Sequence, residues 1–240
     1  MTSLSPPGPR TLVVDIGGTG TKMIVADETG TALTERRRAL TPKPATPKTV
    51  LQVCERLVAE LPAYDRVAVG FPGVVTHGIV RTAPNLSTPA WAGFDLAAAL
   101  QDLTNRPVRV LNDADLQGYG VIEGRGVELV LTLGTGLGAA LYTNGHLVPN
   151  LELGHHPLRK GKTYEERVSD DERKRIGKER WAKRVYDALD VMVPIFNPER
   201  LWIGGGNALR LDPERLPAIA SLFENVEGMA GGVRVWALEG

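Results

Sequence analysis

Several groups of residues in this chain have the types and spacing that chemistry needs. The first is Asp15-Ile16-Gly17-Gly18-Thr19-Gly20-Thr21-Lys22, an aspartate leading into a turn of nearly bare backbone. Glycine lets amide N–H groups converge on an anion with no Cβ in the way. Thr19 and Thr21 add hydroxyls and Lys22 a cation, and Asp15 places a carboxylate where a hydrated Mg²⁺ would sit beside phosphates. The same turn also suits a tight hairpin with no ligand at all. A second loop, Gly134-Thr135-Gly136-Leu137-Gly138, repeats the pattern, with Thr135, Gly136 and Gly138 as phosphate contacts. Two such loops imply a duplicated architecture, with one phosphate loop in each of two lobes gripping a phosphate chain from both sides.

Between them, Asn112-Asp113-Ala114-Asp115 puts carboxylates at the carboxyl end of an expected buried strand, Val108 to Leu111, with a helix to follow. Asp113 there reads either as a catalytic acid or as the helix N-cap, a role worth about 1 kcal/mol. Glu152-Leu153-Gly154-His155 aims two hydrogen-bonding groups at one polar ligand, or else is a solvated turn. Asn85 beside Pro84 is turn chemistry or a ligand contact. Gly204, Gly205 and Gly206 form a bare turn that lets a nucleotide base lie on backbone, or simply opens the next helix. From Arg159 to Arg184 the chain is unusually basic, with Glu and Asp interspersed as in a solvated helix. Lys162, Arg167, Arg173 and Lys174 are the candidates there for a polyanion.

The elements that must position these residues follow from periodicity. The runs Leu12–Ile16 and Met23–Ala26 flank the first loop as a hairpin, and Thr31-Ala32-Leu33 predicts a third strand. Residues 41–47 hold three prolines and predict a stiff connector. Apolar positions from Val50 to Leu61 predict a helix over 48–61 that ends before Pro62. Arg66–Gly70 is a short buried strand ending at Phe71-Pro72-Gly73, and Val74–Val80 is a hairpin. A helix over 96–103 and the strand 108–111 lead to Asp113. Leu129–Leu133 and Leu137–Leu141 flank the second loop, closing at Asn144-Gly145. An amphipathic helix over 181–195 stops at Asn197-Pro198, before a last strand at Leu201–Ile203.

Composition narrows the field. Lys plus Arg and Asp plus Glu are both 28 among 240 residues, so no global field favours nucleic acid or an anionic membrane. No apolar run reaches the length of a membrane span. The single cysteine, Cys54, sits in an apolar-periodic helix as a core residue, excluding a disulfide framework or a cysteine-based zinc site. The expected setting is reducing and cytoplasmic. Residues 1–10 read as a disordered tail and not a signal peptide.

In order, Asp15-Ile-Gly-Gly-Thr19, Gly70-Phe-Pro-Gly73, Asn112-Asp113, Gly134-Thr-Gly-Leu-Gly138, Glu152-Leu-Gly-His155 and Gly204-Gly-Gly206 resemble the ROK sugar kinases. Gly70–Thr82 with Asn85, and Gly161–Ser169 with Arg173-Lys-Arg175, are similar to the polyphosphate glucokinase branch. The resemblance implies an α/β chain in the two-lobed actin/hexokinase/Hsp70-like ATPase fold, built of duplicated ribonuclease H-like domains. The lobes would be 11–112 and 113–240, with the last helix packing back on the first. It implies transfer of a terminal phosphoryl group from polyphosphate, with ATP as a second donor, to the 6-hydroxyl of glucose. Asp113 would be the general base; Asn85, Asn112, Glu152, His155 and Glu165 would hold the sugar. Mg²⁺ near Asp15 and a homodimer are implied as well. The zinc loop that most of the family carries is missing, since no cysteine follows Cys54. Past Gly206 the likeness weakens: Gly228 and Gly231 suit the family's closing helix, but the strand before it is hard to find. A kinase for another sugar, or a catalytically silent sugar-binding regulator, are the alternatives.

Overall fold

The structure, a computed structural model, describes residues 8–224 and 230–237; Gly228 and most of the expected N-terminal tail lie outside them. β1 (Thr11–Ile16) has consecutive apolar residues from Leu12 to Val14 because both of its faces are covered. Leu12, Val14 and Ile16 pack on one side against Val50, Val53, Cys54 and Leu57 of α1 (Pro47–Val58). On the other side Val13 touches Gly232, where a Cβ would come within 2.6 Å of its methyl carbon. β2 (Gly20–Ala26) returns antiparallel with Asp15 opposite Lys22, and this register brings the two side chains to 2.7 Å.

The third strand is not the expected 31–33. Asp27 Oδ1 accepts the N–H groups of Thr29 and Thr31, and the Thr34 hydroxyl takes the N–H of Val25. The chain therefore turns away after one bridge between Ala26 and Ala32, and β3 (Arg37–Leu40) pairs with β2 instead. Its two arginines suit an exposed edge and conceal the strand from a hydrophobicity reading. The prolines of the connector extend into α1: Pro47 takes its first position, and Thr46 and Thr49 close a reciprocal capping box. The helix ends at Val58, short of the expected Leu61.

β4 (Arg66–Phe71) runs parallel to β1 and leads to the hairpin β5 (Val75–Thr76) and β6 (Ile79–Val80). Then come α2 (Thr88–Trp91), α3 (Leu96–Thr104) and β7 (Val108–Asn112). α4 (Asp113–Tyr119) follows directly. β8 (Val127–Leu133), β9 (Leu137–Thr143) and β10 (His146–Val148) form an antiparallel meander, whose last turn holds Asn144 and Gly145 at φ of 50° and 80°. β11 (Pro157–Arg159) and β12 (Lys162–Thr163) make a small hairpin before α5 (Glu165–Val168), α6 (Asp170–Ile176) and α7 (Lys178–Phe196). α7 starts three residues before the expected Trp181 and ends with Asn197 in the left-handed region.

β13 (Arg200–Gly204) lies parallel to β8 and to β14 (Ala220–Leu222), the strand that sequence periodicity did not reveal. β14 pairs over only three residues, one of them serine, too few for a pattern. α8 (Gly231–Arg234) lies at the end of the described chain. Among the described residues the two main sheets have the same plan, β3-β2-β1-β4-β7 and β10-β9-β8-β13-β14. The chain divides into two compact units. The first runs to Leu111 and includes the stretch around α8; the second starts at Asn112.

Candidate active site

In the second unit, the link from β7 to α4 sets the geometry. Asn112 Oδ1 accepts the N–H groups of Ala114 at 2.8 Å and Asp115 at 3.3 Å, so Asn112 is the N-cap and Asp113 the first helical residue. The cap reading thus belongs to Asn112. Asp113 is left at the carboxyl end of the strand, its Oδ1 accepting the Ala114 N–H at 2.8 Å. The Asn112 amide donates to Glu152 Oε1 at 3.3 Å, and Glu152 Oε2 lies 3.4 Å from His155 Nε2. Burial pushes the Glu152 carboxyl up, His155 opposes that, and Glu165 adds to it. Asn112, Glu152 and His155 therefore form one polar group, with Asp113 next to Asn112 in the chain. Glu165 stands next to it, accepting the Leu137 N–H at 3.3 Å and so bracing the Gly134–Gly138 loop.

That loop also rests on α4, since a Cβ on Gly138 would lie 2.9 Å from the Ala114 Cβ. Its Gly134 carbonyl accepts the Asp170 N–H, and the Asn207 amide donates to Asp170 Oδ1 at 3.1 Å, bringing the Gly204–Gly206 turn alongside. Within that turn the Phe223 ring fills the side of Gly204 where a Cβ would point, 2.2 Å away, whereas the same side of Gly206 is open. Gly206 is thus better placed than Gly204 to meet a ligand.

In the first unit the Gly17 N–H is engaged with the Gly20 carbonyl at 3.0 Å, and the Gly17 carbonyl accepts the Thr41 hydroxyl at 2.5 Å. Gly18 and Thr19 form the exposed tip. Thr21, expected to offer a hydroxyl to phosphate, is fully enclosed in β2, with no partner for its Oγ1 among the described residues. Thr19 lies in the turn ahead of β2, whereas Thr21 is already inside the strand and packed in the sheet, so the two hydroxyls are not presented together at the tip. Asn85 backs directly onto the tip, its carbonyl 3.1 Å from where a Gly18 Cβ would be.

The basic segment of the second unit separates into two parts. Arg173 and Lys174 both bind Asp170 at 2.8 Å, and its carboxyl is pulled down to about 2, chiefly by Lys174. Arg159, Lys160, Lys162, Arg167, Arg175 and Arg184 instead surround one depression of about 390 Å³. Glu172 bonds to Arg175 at 2.6 Å and to Arg184, which pull its carboxyl down to about 2. The Arg167 Nε is buried there with no partner among the described residues. Of the expected polyanion contacts, Lys162 and Arg167 line this basin; Arg175 and Arg184, nine residues apart, are brought in by the angle between α6 and α7, which a linear reading does not contain. Asp115, fully buried one turn from the cap, also received no role from its spacing.

Among the described residues no three His, Cys, Asp or Glu side chains gather as a metal cluster. Asp15, salt-bridged to Lys22, offers a single carboxylate; this suits Mg²⁺, which keeps its waters and shares few protein ligands. Cys54 is a core residue, its thiol pushed up to about 12 by burial.

A repeated hairpin-and-crossover plan, a Gly/Thr loop in each unit and an acid at the end of a strand define an actin/hexokinase-like phosphotransferase. The comparisons with known proteins agree. The sequence profile of the ROK family matches residues 11–172. Polyphosphate glucokinase of Mycobacterium tuberculosis is 34% identical over 234 residues, covering 91% of this chain and 88% of that protein. The Mycobacterium leprae enzyme is 33% identical, covering 91% and 72%. The structure of inorganic polyphosphate/ATP-glucomannokinase from Arthrobacter sp. strain KM superposes with a TM-score of 0.86 at 34% identity, covering 96% of this chain and 99% of that one. A ROK family glucokinase from Streptomyces griseus shares the fold, with a TM-score of 0.79 at 20% identity, covering 94% and 98%. The chain belongs to the ROK family and is a sugar kinase.

Proposed function

We propose that this protein transfers the terminal phosphoryl group of inorganic polyphosphate to the 6-hydroxyl of glucose, with ATP as a second donor. The observation that carries the choice of donor is the depression lined by six cations. Its one paired acid, Glu172, leaves a surplus of positive charge suited to a polyanion longer than a nucleotide's triphosphate. α5 connects it to the loop: Glu165 braces Leu137 and, two residues on, Arg167 lines the basin. A phosphate chain held at Thr135, Gly136 and Gly138 would run past α5 onto these cations. The relatives named as polyphosphate glucokinases and as a polyphosphate/ATP-glucomannokinase support the same donor.

Asp113 would accept the proton of the sugar 6-hydroxyl as that oxygen forms its bond to phosphorus. The bond from phosphorus to the rest of the donor breaks, and the donor leaves one phosphate shorter. Asn112, Glu152 and His155 would hold sugar hydroxyls, with Asn85 and Glu165 as further contacts; an analogue lacking a hydroxyl strands a buried partner and is rejected. Asp15 would hold Mg²⁺ through water, and that ion, when bound, supplies positive charge to the phosphates. The test is to assay glucose 6-phosphate with polyphosphate and ATP offered separately over a series of salt concentrations. Product from polyphosphate, falling steeply with salt, is expected. Product from ATP alone removes the donor assignment, and none from either leaves a silent sugar binder.

A further inference from the structure

Asp115 is buried to 1% exposure, yet the proposed chemistry leaves it unused. Its Oδ2 accepts the N–H of Asn150 at 2.9 Å, and its Oδ1 is enclosed with no partner among the described residues. Its carbonyl accepts the Tyr142 hydroxyl, fastening this turn of α4 to β9. Asn150 stands at a φ of 59°, a strained value that needs support, two residues before Glu152. The segments 112–115 and 150–152 are therefore joined twice, by Asn112 to Glu152 at one end and by Asn150 to Asp115 at the other. Asp115 therefore holds one end of the short segment that carries Glu152, and Asn112 the other.

We infer that Asp115 is a positioning residue for sugar binding: it anchors Asn150 and thereby sets Glu152 against the sugar hydroxyls. This rests on the reading of Glu152 as a sugar ligand. Asp115 is suited to the task in its neutral form. Burial, with Glu152 nearby, raises its carboxyl to about 7. Among the described residues, the titratable groups that act on it are Tyr119 of its own helix, Tyr142 of β9 and Glu152 of the facing segment, none of them a cation. Ionisation sets a second negative charge beside Glu152 in a poorly solvated place.

The experiment measures glucose KM, donor KM and kcat for the wild type, Asp115→Ala, Asp115→Asn and Glu152→Gln, at about pH 6 and about pH 8. Asp115→Ala is expected to raise the glucose KM about tenfold at the lower pH, with kcat and donor KM changed less than about threefold. Asp115→Asn keeps an acceptor for Asn150 and cannot ionise, so its glucose KM stays near wild type at the lower pH. It also loses the rise that the wild type shows at the higher pH. An unchanged glucose KM in Asp115→Ala, or the wild-type rise persisting in Asp115→Asn, overturns the inference. If Asp115→Ala does not fold, the pH comparison with Asp115→Asn decides alone. An unchanged glucose KM in Glu152→Gln overturns the sugar-ligand reading itself, a separate failure.

Discussion

Asn112 donates its side-chain amide to Glu152 Oε1 at 3.3 Å while its side-chain oxygen caps the helix that begins at Asp113. One residue thus holds the candidate base and a candidate sugar ligand in a common frame. Asn112→Ala removes the cap as well as the bond to Glu152, and loss of the cap alone costs about 1 kcal/mol. A lower Tm with a raised glucose KM is expected. Asn112→Asp keeps the cap but sets an anion against Glu152, so it should raise KM with a Tm near wild type. Thermal melts paired with sugar titrations check both.

Asp113→Asn keeps the shape of the side chain and removes its capacity to take a proton. Turnover should fall by at least about 10²-fold, the scale of a positioned acid or base, with glucose affinity retained. Calorimetric glucose titration beside an initial-rate assay separates the two, and near-normal turnover would take Asp113 out of the role.

Gly138→Ala would push a methyl within 2.3 Å of Thr132 Oγ1 and 2.9 Å of the Ala114 Cβ. Overpacking of this kind costs roughly 1–3 kcal/mol. Because Ala114 follows Asp113, the displaced turn should also lower kcat, which denaturant unfolding and rate measurements together detect.

Lys160→Glu with Lys162→Glu reverses two charges in the cationic basin without touching the Glu172 pairs. The KM for polyphosphate should rise at least about tenfold and its salt dependence flatten, while the KM for ATP stays within about twofold. Equal effects on both donors would mean that the basin does not select the longer one.

The Glu172 carboxyl is pulled down to about 2 by Arg175, with Arg184 adding to it. A carboxyl lowered on folding stabilises the folded chain above its ordinary range and loses that contribution as the pH falls towards the folded value. Stability should therefore drop between about pH 4.5 and pH 2, and Glu172→Gln should flatten that limb. Asp115 works with the opposite sign. Its raised carboxyl makes the folded state hold a proton that the unfolded chain has lost, so its contribution weakens from about pH 4 up to about pH 7. Tm profiles of Glu172→Gln and Asp115→Asn against pH separate the two.

Local patterning was enough to read the two glycine-rich loops, their flanking hairpins, the helix before Pro62 and the acid after the strand at 108, because each is written within about a dozen neighbouring residues. β3 escaped because its arginines belong to an edge, where charge replaces apolar alternation, and Asp27 redirected the chain before it. β14 escaped because three residues carry no period. Which basic side chains share a basin was decided by the packing of α6, α7 and the β11–β12 hairpin: Asp170 draws Arg173 and Lys174 together, while Arg175 and Arg184 meet at Glu172. Burial likewise separated Thr21 from Thr19 and gave Asp115 its enclosed carboxyl. Sequence spacing thus determined the inventory and the local turns; the long-range contacts, which depend on residues far apart in the chain, decided which members are buried, paired or brought together.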